Sequence, residues 1–499
     1  MADNPDPSNI PSSRQWRGRH VPHRPRLFRR EHAVAVLAVL YPVFAFSGAA
    51  GAAARANIVL ILTDDQEVGL LEPMPNLRSL IVDRGATFRR AYVNEPFCGP
   101  SRATILTGKY AQNTGVTTNS HGRFYEADDA ASKVAVWLKA AGYRTALIGK
   151  YLNHYPDPAP DTYVPPGWDY WAARLGDRSE EYDYALNENG TVRFYGSLES
   201  AYATDNYARK AVDFLRKAAA DGVPFFLQLS VHAPHMPSTP ARRHARLFPA
   251  LEAPRTPAFD EADVGDKPDY VRGRPRFSPD DLAGIDDLYR QRARSLVAVD
   301  EAVKAVVDTL EVTGRLGETY LVFASDNGWV HGQHRIPPRK RLPYEESIRI
   351  PLYVRGPGIA PGLVVDRMVG NVDLAPTFAE WAGATVPADV DGRSFAPLLR
   401  AGAVVPERWR RAYPLVEEEA ATPDLPAPDW RGVRTDDYAY VEYRTGESEL
   451  HDMRADPDQL ENLAGSADPM LLANFARLTS ALASCKADRC RELEDTPTP

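Results

Sequence analysis

The chain has 499 residues, 44% of them hydrophobic and 25% charged, with a formal net charge of -8. That length allows one large domain plus a smaller one, and that composition is ordinary for a soluble globular protein. The mildly acidic balance lacks the basic footprint of a nucleic-acid binder, so no nucleic-acid partner is expected.

Residues 1–56 read as an export segment rather than as part of the fold. Arg14, Arg17, Arg19, Arg24, Arg26, Arg29 and Arg30 precede an apolar run at 33–46, and small residues in Ala-x-Ala patterns follow at 50–56. Basic, apolar and small segments in that order make a secretory signal peptide. A secreted or extracytoplasmic location, periplasmic or at the cell surface, follows from it. The run is short for a membrane span and Pro42 interrupts it, so no stable membrane partner is expected, with an uncleaved anchor as the alternative.

The first strand is expected at 57–63 (NIVLILT), a continuous apolar run of the kind buried on both faces. It ends in Asp64-Asp65-Gln66. Adjacent carboxylates there are expensive unless a cation pairs with them. Next comes the run CGPSRATILTGK at 98–109. Pro100 opens a helix without wasting a donor, which puts Cys98 at a helix N-terminus where free N–H groups favour an anion. Arg102 follows within one turn and can fix an oxyanion by charge-assisted hydrogen bonds. The competing reading is a purely structural thiol, since free cysteine is among the most buried residue types.

Residues 133–141 carry a short helical pattern, and 145–149 (TALIG) read as a second strand that runs into Lys150. A helix at 202–220 precedes the third strand, 224–231 (PFFLQLSV), which runs into His232-Ala-Pro-His235. Residues 236–282, rich in proline, arginine and acidic residues, are expected to make a long surface excursion. Within it Arg242, Arg243 and Arg246 either meet a polyanion or form a solvated face. Leu296, Val299, Val303, Val306 and Leu310 mark a helical stripe ahead of the fourth strand, 320–325 (YLVFAS), which ends in Asp326-Asn327-Gly328. A proline-rich stretch between 397 and 428 suggests a boundary, followed by a strand at 438–443 and a helix at 470–482. Cys485 and Cys490 either close a small loop as a disulfide, which export favours, or stay as two thiols on a frayed tail.

Strand–helix alternation implies an α/β fold: a large, mostly parallel mixed sheet sandwiched by helices, with a smaller C-terminal α+β subdomain. The expected divisions are 1–56, 57–400 and 401–499. Ligands of such sheets bind beyond the carboxyl ends of the strands, which is where the four polar clusters fall. Asp64, Asp65, Asp326 and Asn327 offer hard oxygen donors suited to Ca²⁺ or Mg²⁺. Taken singly, Asp-Asp can cap a helix and Asp-Asn-Gly is a common turn; both at strand ends beside the Cys98 run favour a metal.

The pattern DDQ (64–66), CGPSR…TGK (98–109), GKY (149–151), HAPH (232–235) and SDNG (325–328) is followed by Lys340-x-x-x-Tyr344-Glu345 and Arg349-Ile-Pro (349–351). In this order it resembles the formylglycine-dependent sulfatases of the alkaline-phosphatase superfamily, over residues 57–465. GKYLN (149–153), VRGPGI (354–359) and the paired C-terminal cysteines look most like the glucosamine-6-sulfatase and heparan-type extracellular branch.

The resemblance implies hydrolysis of a sulfate ester, on a carbohydrate such as N-acetylglucosamine-6-sulfate or a glycosaminoglycan. It implies that a formylglycine-generating enzyme oxidises Cys98 to formylglycine (3-oxoalanine). Asp64, Asp65, Asp326 and Asn327 would bind Ca²⁺, with residue 98 and a sulfate oxygen completing the shell. Arg102 and Lys150 would hold the hydrated aldehyde. His235 and Lys340 would contact the sulfate and help protonate the leaving alcohol, with His232 as the alternative to His235. In the implied reaction one hydroxyl of the hydrate attacks sulfur, and the second later loses its proton and expels sulfate by C–O cleavage.

One departure stands out. Many family members carry a histidine two residues after the site lysine, as base for the second step, and here that position is Leu152. Asn153 or His154 would fill the role, unless His154 is an ordinary loop residue. A phosphate- or phosphonate-ester hydrolase of the same superfamily is the nearest alternative function. A silent glycan-binding homologue is another, and a hydrolase using the unmodified thiol is a third that leaves the oxygen donors unexplained.

Overall fold

In the computed structural model the described residues are 55–126, 133–176, 180–400, 408–418 and 425–497. The expected export segment lies outside them, apart from its last two residues. No helix among the described residues is long and apolar enough to cross a membrane.

Among the described residues, ten strands form the main sheet: β1 (Asn57–Asp64), β2 (Ala86–Phe88), β3 (Arg144–Gly149), β4 (Tyr170–Arg174), β5 (Tyr184–Glu188), β6 (Thr191–Tyr195), β7 (Phe225–Pro234), β8 (Thr319–Ser325), β9 (Leu352–Arg355) and β10 (Leu363–Val365). Their order across the sheet is β10-β2-β9-β8-β1-β7-β3-β4-β5-β6. The four strands read from the sequence are β1, β3, β7 and β8, which lie side by side and parallel, with Ile58 opposite both Phe226 and Tyr320. Antiparallel pairs flank this group on both sides, β8 with β9 and β9 with β2 on one and β4 with β5 and β5 with β6 on the other, while edge strand β10 runs parallel to β2, so the sheet is mixed.

Side chains alternate across β1, which explains why its run is apolar at every position. Ile58, Leu60 and Leu62 face a cluster with helices α1 (Cys98–Thr107), α2 (Val134–Ala140) and α5 (Leu374–Ala382). Val59 and Ile61 face the opposite cluster with α3 (Ala203–Asp221) and α4 (Pro279–Val312). The stripe Leu296–Val299–Val303–Val306–Leu310 is the buried face of α4, a helix of 34 residues. Ser278 caps it by a capping box with Asp281, and Pro279 supplies the first turn.

Part of the expected surface excursion is buried instead. Asp260 N–H donates to the Gly332 carbonyl at 2.9 Å, and His334 N–H to the Ala258 carbonyl at 2.8 Å. Buried Glu261 pairs with buried Lys267 and with His334. Polar residues without periodicity pack inside when they neutralise one another, which no local pattern reveals. Arg243 is engaged by Asp205 and Glu301, and Arg242 lies 3.9 Å from Glu199, so these two face intramolecular carboxylates.

Glu181 anchors the start of α3, accepting from Thr204 N–H at 3.0 Å and from its hydroxyl at 3.1 Å. Burial outweighs these bonds and pushes its carboxyl up to about 7. A folded-state value above the unfolded one of about 4.3 means stability present below that pH is lost as pH rises toward 7. Glu181→Gln is therefore expected to match the wild type near pH 4 and to melt higher than it above pH 7. Thermal unfolding across that pH range checks this.

The C-terminal segment forms an antiparallel meander, β11 (Ala412–Glu417), β12 (Trp430–Thr435), β13 (Tyr438–Tyr443) and β14 (Ser448–Asp452), covered by α6 (Pro469–Ala483). Phe475 of α6 stacks on Tyr440 at 5.5 Å. The same apolar cluster takes in Tyr92, Tyr110 and Tyr344, so this sheet shares a core with the main body. Cys485 and Cys490 are joined in a disulfide and buried in that cluster, which removes the frayed-tail alternative.

Candidate active site

Cys98 is the first residue of α1, with Phe97 extended before it. Gly99 lets the chain at Thr118 and Asn119 press against this turn, since a Cβ there would lie 2.9 Å from both the Thr118 carbonyl and Asn119 Oδ1. Asn119 Oδ1 accepts from Gly99 N–H at 2.7 Å, satisfying one free donor of the helix start. Gly149, at φ 103°, abuts β7: a Cβ would fall 1.9 Å from the Ser230 carbonyl. Only glycine tolerates that approach, and it delivers Lys150 from the end of β3 into the same space.

The strand ends converge on Cys98. Its Sγ lies 3.4 Å from Asp64 Oδ1 and 3.9 Å from Asp65 Oδ1. Arg102 Nε donates to Asp326 Oδ2 at 2.7 Å, its Nη1 donates to Ser230 Oγ at 2.7 Å, and its Nη2 lies 3.6 Å from Asp64. Lys150 donates to Asp64. Lys340 donates to Asp65 Oδ1 and to Cys98 Sγ. Asn327 Nδ2 donates to Asp65 Oδ1 at 2.7 Å, and Asp65 N–H donates to Asp326 Oδ1 at 3.0 Å. His235 Nε2 stands 3.6 Å from Asp65 Oδ2, with its side chain 26% exposed at the edge of the cluster.

The electrostatics follow from burial set against mutual compensation. Burial opposes the charge of Asp64, yet Lys150, His235, Arg102 and Lys340 hold its carboxyl well below the usual range. Asp65 is likewise lowered against burial, by Lys340 and His235. Lys150 and Lys340 are raised despite burial, by Asp64 and Asp65 respectively. Burial and the charge of Asp64 push the Cys98 thiol up. That direction disfavours the thiolate, the nucleophilic form of an unmodified cysteine.

The cluster's oxygens fit a hard cation. Asp65 Oδ2 and Asn327 Oδ1 are buried and have no hydrogen-bond partner. Ligand atoms of Asp64, Asp65, Cys98 and His235 all lie within 4.8 Å of one another. An acceptor left bare in the interior is costly, and a set of carboxylate and amide oxygens is the donor chemistry of Ca²⁺.

His232 lies apart from these contacts. It is buried, packs against Tyr207 at 6.2 Å, and burial with Arg174 and Lys150 lowers its pKa well below normal. Leu152 packs in the apolar cluster on the α1 side of the sheet. Asn153 is buried and its carbonyl accepts from His121 N–H at 3.0 Å, whereas His154 is exposed at φ 62°.

Sequence reasoning did not find Ser230, Arg292, Glu67 or His331. Ser230 is one polar residue inside an apolar run, a faint signal in hindsight. Arg292 is fully buried on α4, and Glu67 pairs with it at 2.6 Å and with His331 at 2.8 Å. Glu67 and His331 also line a cavity of about 720 Å³ together with Trp329, Glu346 and Arg349. Glu67 is 225 residues from Arg292 and 264 from His331, and Ser230 is 128 from Arg102, so no local spacing announces them.

Comparison with known proteins agrees with the fold and with the family resemblance. The Sulfatase family matches residues 56–384, and the family described as N-sulphoglucosamine sulphohydrolase, C-terminal, matches residues 332–487. The chain is 35% identical to N-acetylglucosamine-6-sulfatase of Capra hircus over 89% of this chain and 86% of that one. It is 34% identical to N-acetylglucosamine-6-sulfatase of Homo sapiens, covering 91% and 89%. A solved structure holding its substrate D-glucosamine-2-N,6-O-disulfate superposes with a TM-score of 0.75 at 25% identity, covering 88% of this chain and 99% of that one. With relatives this similar over nearly its whole length, the chain belongs to the sulfatase family, and its activity is hydrolysis of a sulfate ester.

Proposed function

We propose that residue 98 matures to formylglycine and that sulfate-ester hydrolysis takes place in this cluster, with Ca²⁺ held by Asp64, Asp65, Asp326 and Asn327. One observation carries the reading: Cys98 opens a helix beside two buried, unpartnered oxygens, Asp65 Oδ2 and Asn327 Oδ1. When present, Ca²⁺ supplies two positive charges for an anionic ester, and formylglycine supplies an oxygen nucleophile in place of an inert thiol.

The chain's own residues supply the rest. Asp64, Asp65 and Asp326 face Arg102, Lys150 and Lys340, so these side chains balance one another and a divalent cation leaves the pocket positive toward a sulfate ester. Arg102 and Lys150, on the Asp64 side, orient the side chain at position 98. Lys340 bridges Asp65 and position 98 and is placed to take a sulfate oxygen. His235 Nδ1 lies 2.6 Å from the Met236 carbonyl, an acceptor, so Nδ1 carries a proton and Nε2 is the atom that exchanges one with the leaving oxygen. His232, held neutral by burial, is the poorer acid.

The substrate class follows from the relatives: a sulfated carbohydrate, N-acetylglucosamine-6-sulfate or a glycosaminoglycan end. Cys98 is 0% exposed, so a formylglycine-generating enzyme must meet the chain before it folds. Residues 1–56 direct export, residues 57–400 hold the catalytic body and residues 401–499 the C-terminal subdomain.

Mass spectrometry of the tryptic peptide 91–102 from protein made in its native host tests the proposal. The expected result is the aldehyde or its hydrate at position 98, with the thiol sulfur gone. An unmodified Cys98 in active protein would overturn the formylglycine mechanism.

A further inference from the structure

Arg292 belongs to none of the motifs, yet it touches two of them at once. From α4 its Nη2 donates to the Asp65 carbonyl at 2.5 Å and to Glu67 Oε2 at 2.6 Å. Its Nη1 donates to the Pro234 carbonyl at 3.3 Å, one residue before His235. The guanidinium lies over the Trp329 ring at 4.9 Å, directly after the SDNG run. Glu67 is held in turn by His331 Nε2 at 2.8 Å.

Asp65 needs such a hold. Its φ is 66°, a conformation that a residue with a Cβ keeps only when its surroundings impose it. The peptide is gripped from both sides: its N–H by Asp326 Oδ1 and its carbonyl by Arg292. In this conformation Asp65 Oδ2 has no hydrogen-bond partner and lies 3.6 Å from His235 Nε2.

We propose that Arg292 is a positioning residue that sets the Asp65 carboxylate toward the metal and the His235 imidazole toward the leaving oxygen. It touches neither substrate nor reacting atoms. One planar fork serves three acceptors on two chain segments; a lysine ammonium, a single point on a flexible stem, cannot reproduce that geometry. The inference rests on the reading of Asp65 as a Ca²⁺ ligand given above.

The test uses full-length protein stripped with a chelator and titrated with Ca²⁺ by calorimetry, alongside kcat and KM on a chromogenic aryl sulfate. Partners behind metal ligands are typically worth about 10- to 100-fold in affinity or activity, and Arg292→Met is expected to weaken Ca²⁺ binding by that much. Its kcat should fall more than its KM rises, and Arg292→Lys should recover little of either. Arg243→Met, which removes a surface ion-pair hub, controls for stability and should leave the Ca²⁺ affinity unchanged.

Ca²⁺ affinity and kcat in Arg292→Met equal to wild type would overturn the proposal. So would an equal loss of affinity in Arg243→Met. If Arg292→Met does not fold, Glu67→Gln loosens the guanidinium without emptying its space, and unchanged Ca²⁺ binding there overturns the proposal as well. Asp65→Asn separates the two levels. If it leaves Ca²⁺ binding intact, the metal reading itself fails; if it abolishes binding while the Arg292 variants bind normally, only the positioning role fails.

Discussion

Cys98→Ala is expected to abolish sulfate release in a protein that remains folded. Removing an essential nucleophile costs on the order of 10⁶ in kcat where the group acts as one unit with its neighbours, and a loss of at least about 10⁴ is expected here. The structural effect should be small. Alanine is a good helix former at the first residue of α1, the sulfur contacts to Asp64 at 3.4 Å and Asp65 at 3.9 Å are weak, and Lys340, which also donates to the sulfur, keeps its Asp65 partner. Burial and Asp64 disfavour the thiolate of an unconverted residue 98, so the loss is assigned to the formylglycine that the proposal places there. The measurements are sulfate release from an aryl sulfate and thermal unfolding, side by side. Activity within tenfold of wild type in the alanine variant would remove position 98 from the chemistry.

Removal of the metal should have the second largest effect. Stripping the protein with a chelator is expected to lower activity by about 10²- to 10³-fold, the scale of losing one aligned electrostatic stabiliser of the transferred group. Re-addition of Ca²⁺ should restore it. Asp65→Asn is expected to give the same loss without restoration, since the amide keeps the shape of the carboxylate and loses its charge. That variant also leaves the buried Lys340 ammonium without its Asp65 partner, a defect worth about 3–5 kcal/mol in comparable buried pairs. Its melting temperature should therefore fall as well. A chelated wild type with full activity would show that Asp64, Asp65 and Asp326 serve only to pair with Arg102, Lys150 and Lys340, and Asn327 only to donate to Asp65.

The strands that carry the site were legible because burial on both faces demands apolar residues at every position. Asp64, Lys150, His232 and Asp326 then stood out as the first polar residues after the four apolar runs, with His235 three residues beyond His232. Helix α4 was legible from its stripe, though its N-terminus, Ser278-Pro279, fell inside the stretch taken for a surface excursion. His232 and His235 looked alike in sequence. Their burial separates them, since one lies inside the strand's packing and the other where the chain leaves the sheet. Arg242 and Arg243 looked available to a polyanion until Glu199, Asp205 and Glu301 were seen around them.

Local apolar periodicity and fixed motif spacing encode the family pattern, the α/β class and the residues gathered at the strand ends, so each can be read from the order of residues. Only the folded chain reveals that β1 lies between β7 and β8, that Cys485 and Cys490 pair, and that the C-terminal sheet shares a core with Tyr92 and Tyr344. It alone placed Arg292 between Asp65 and Pro234. Apart from the disulfide, whose cysteines are five residues apart and whose pairing their spacing allows without requiring, those facts rest on contacts between distant segments, and a contact across such a separation imposes no period on the residues around either end.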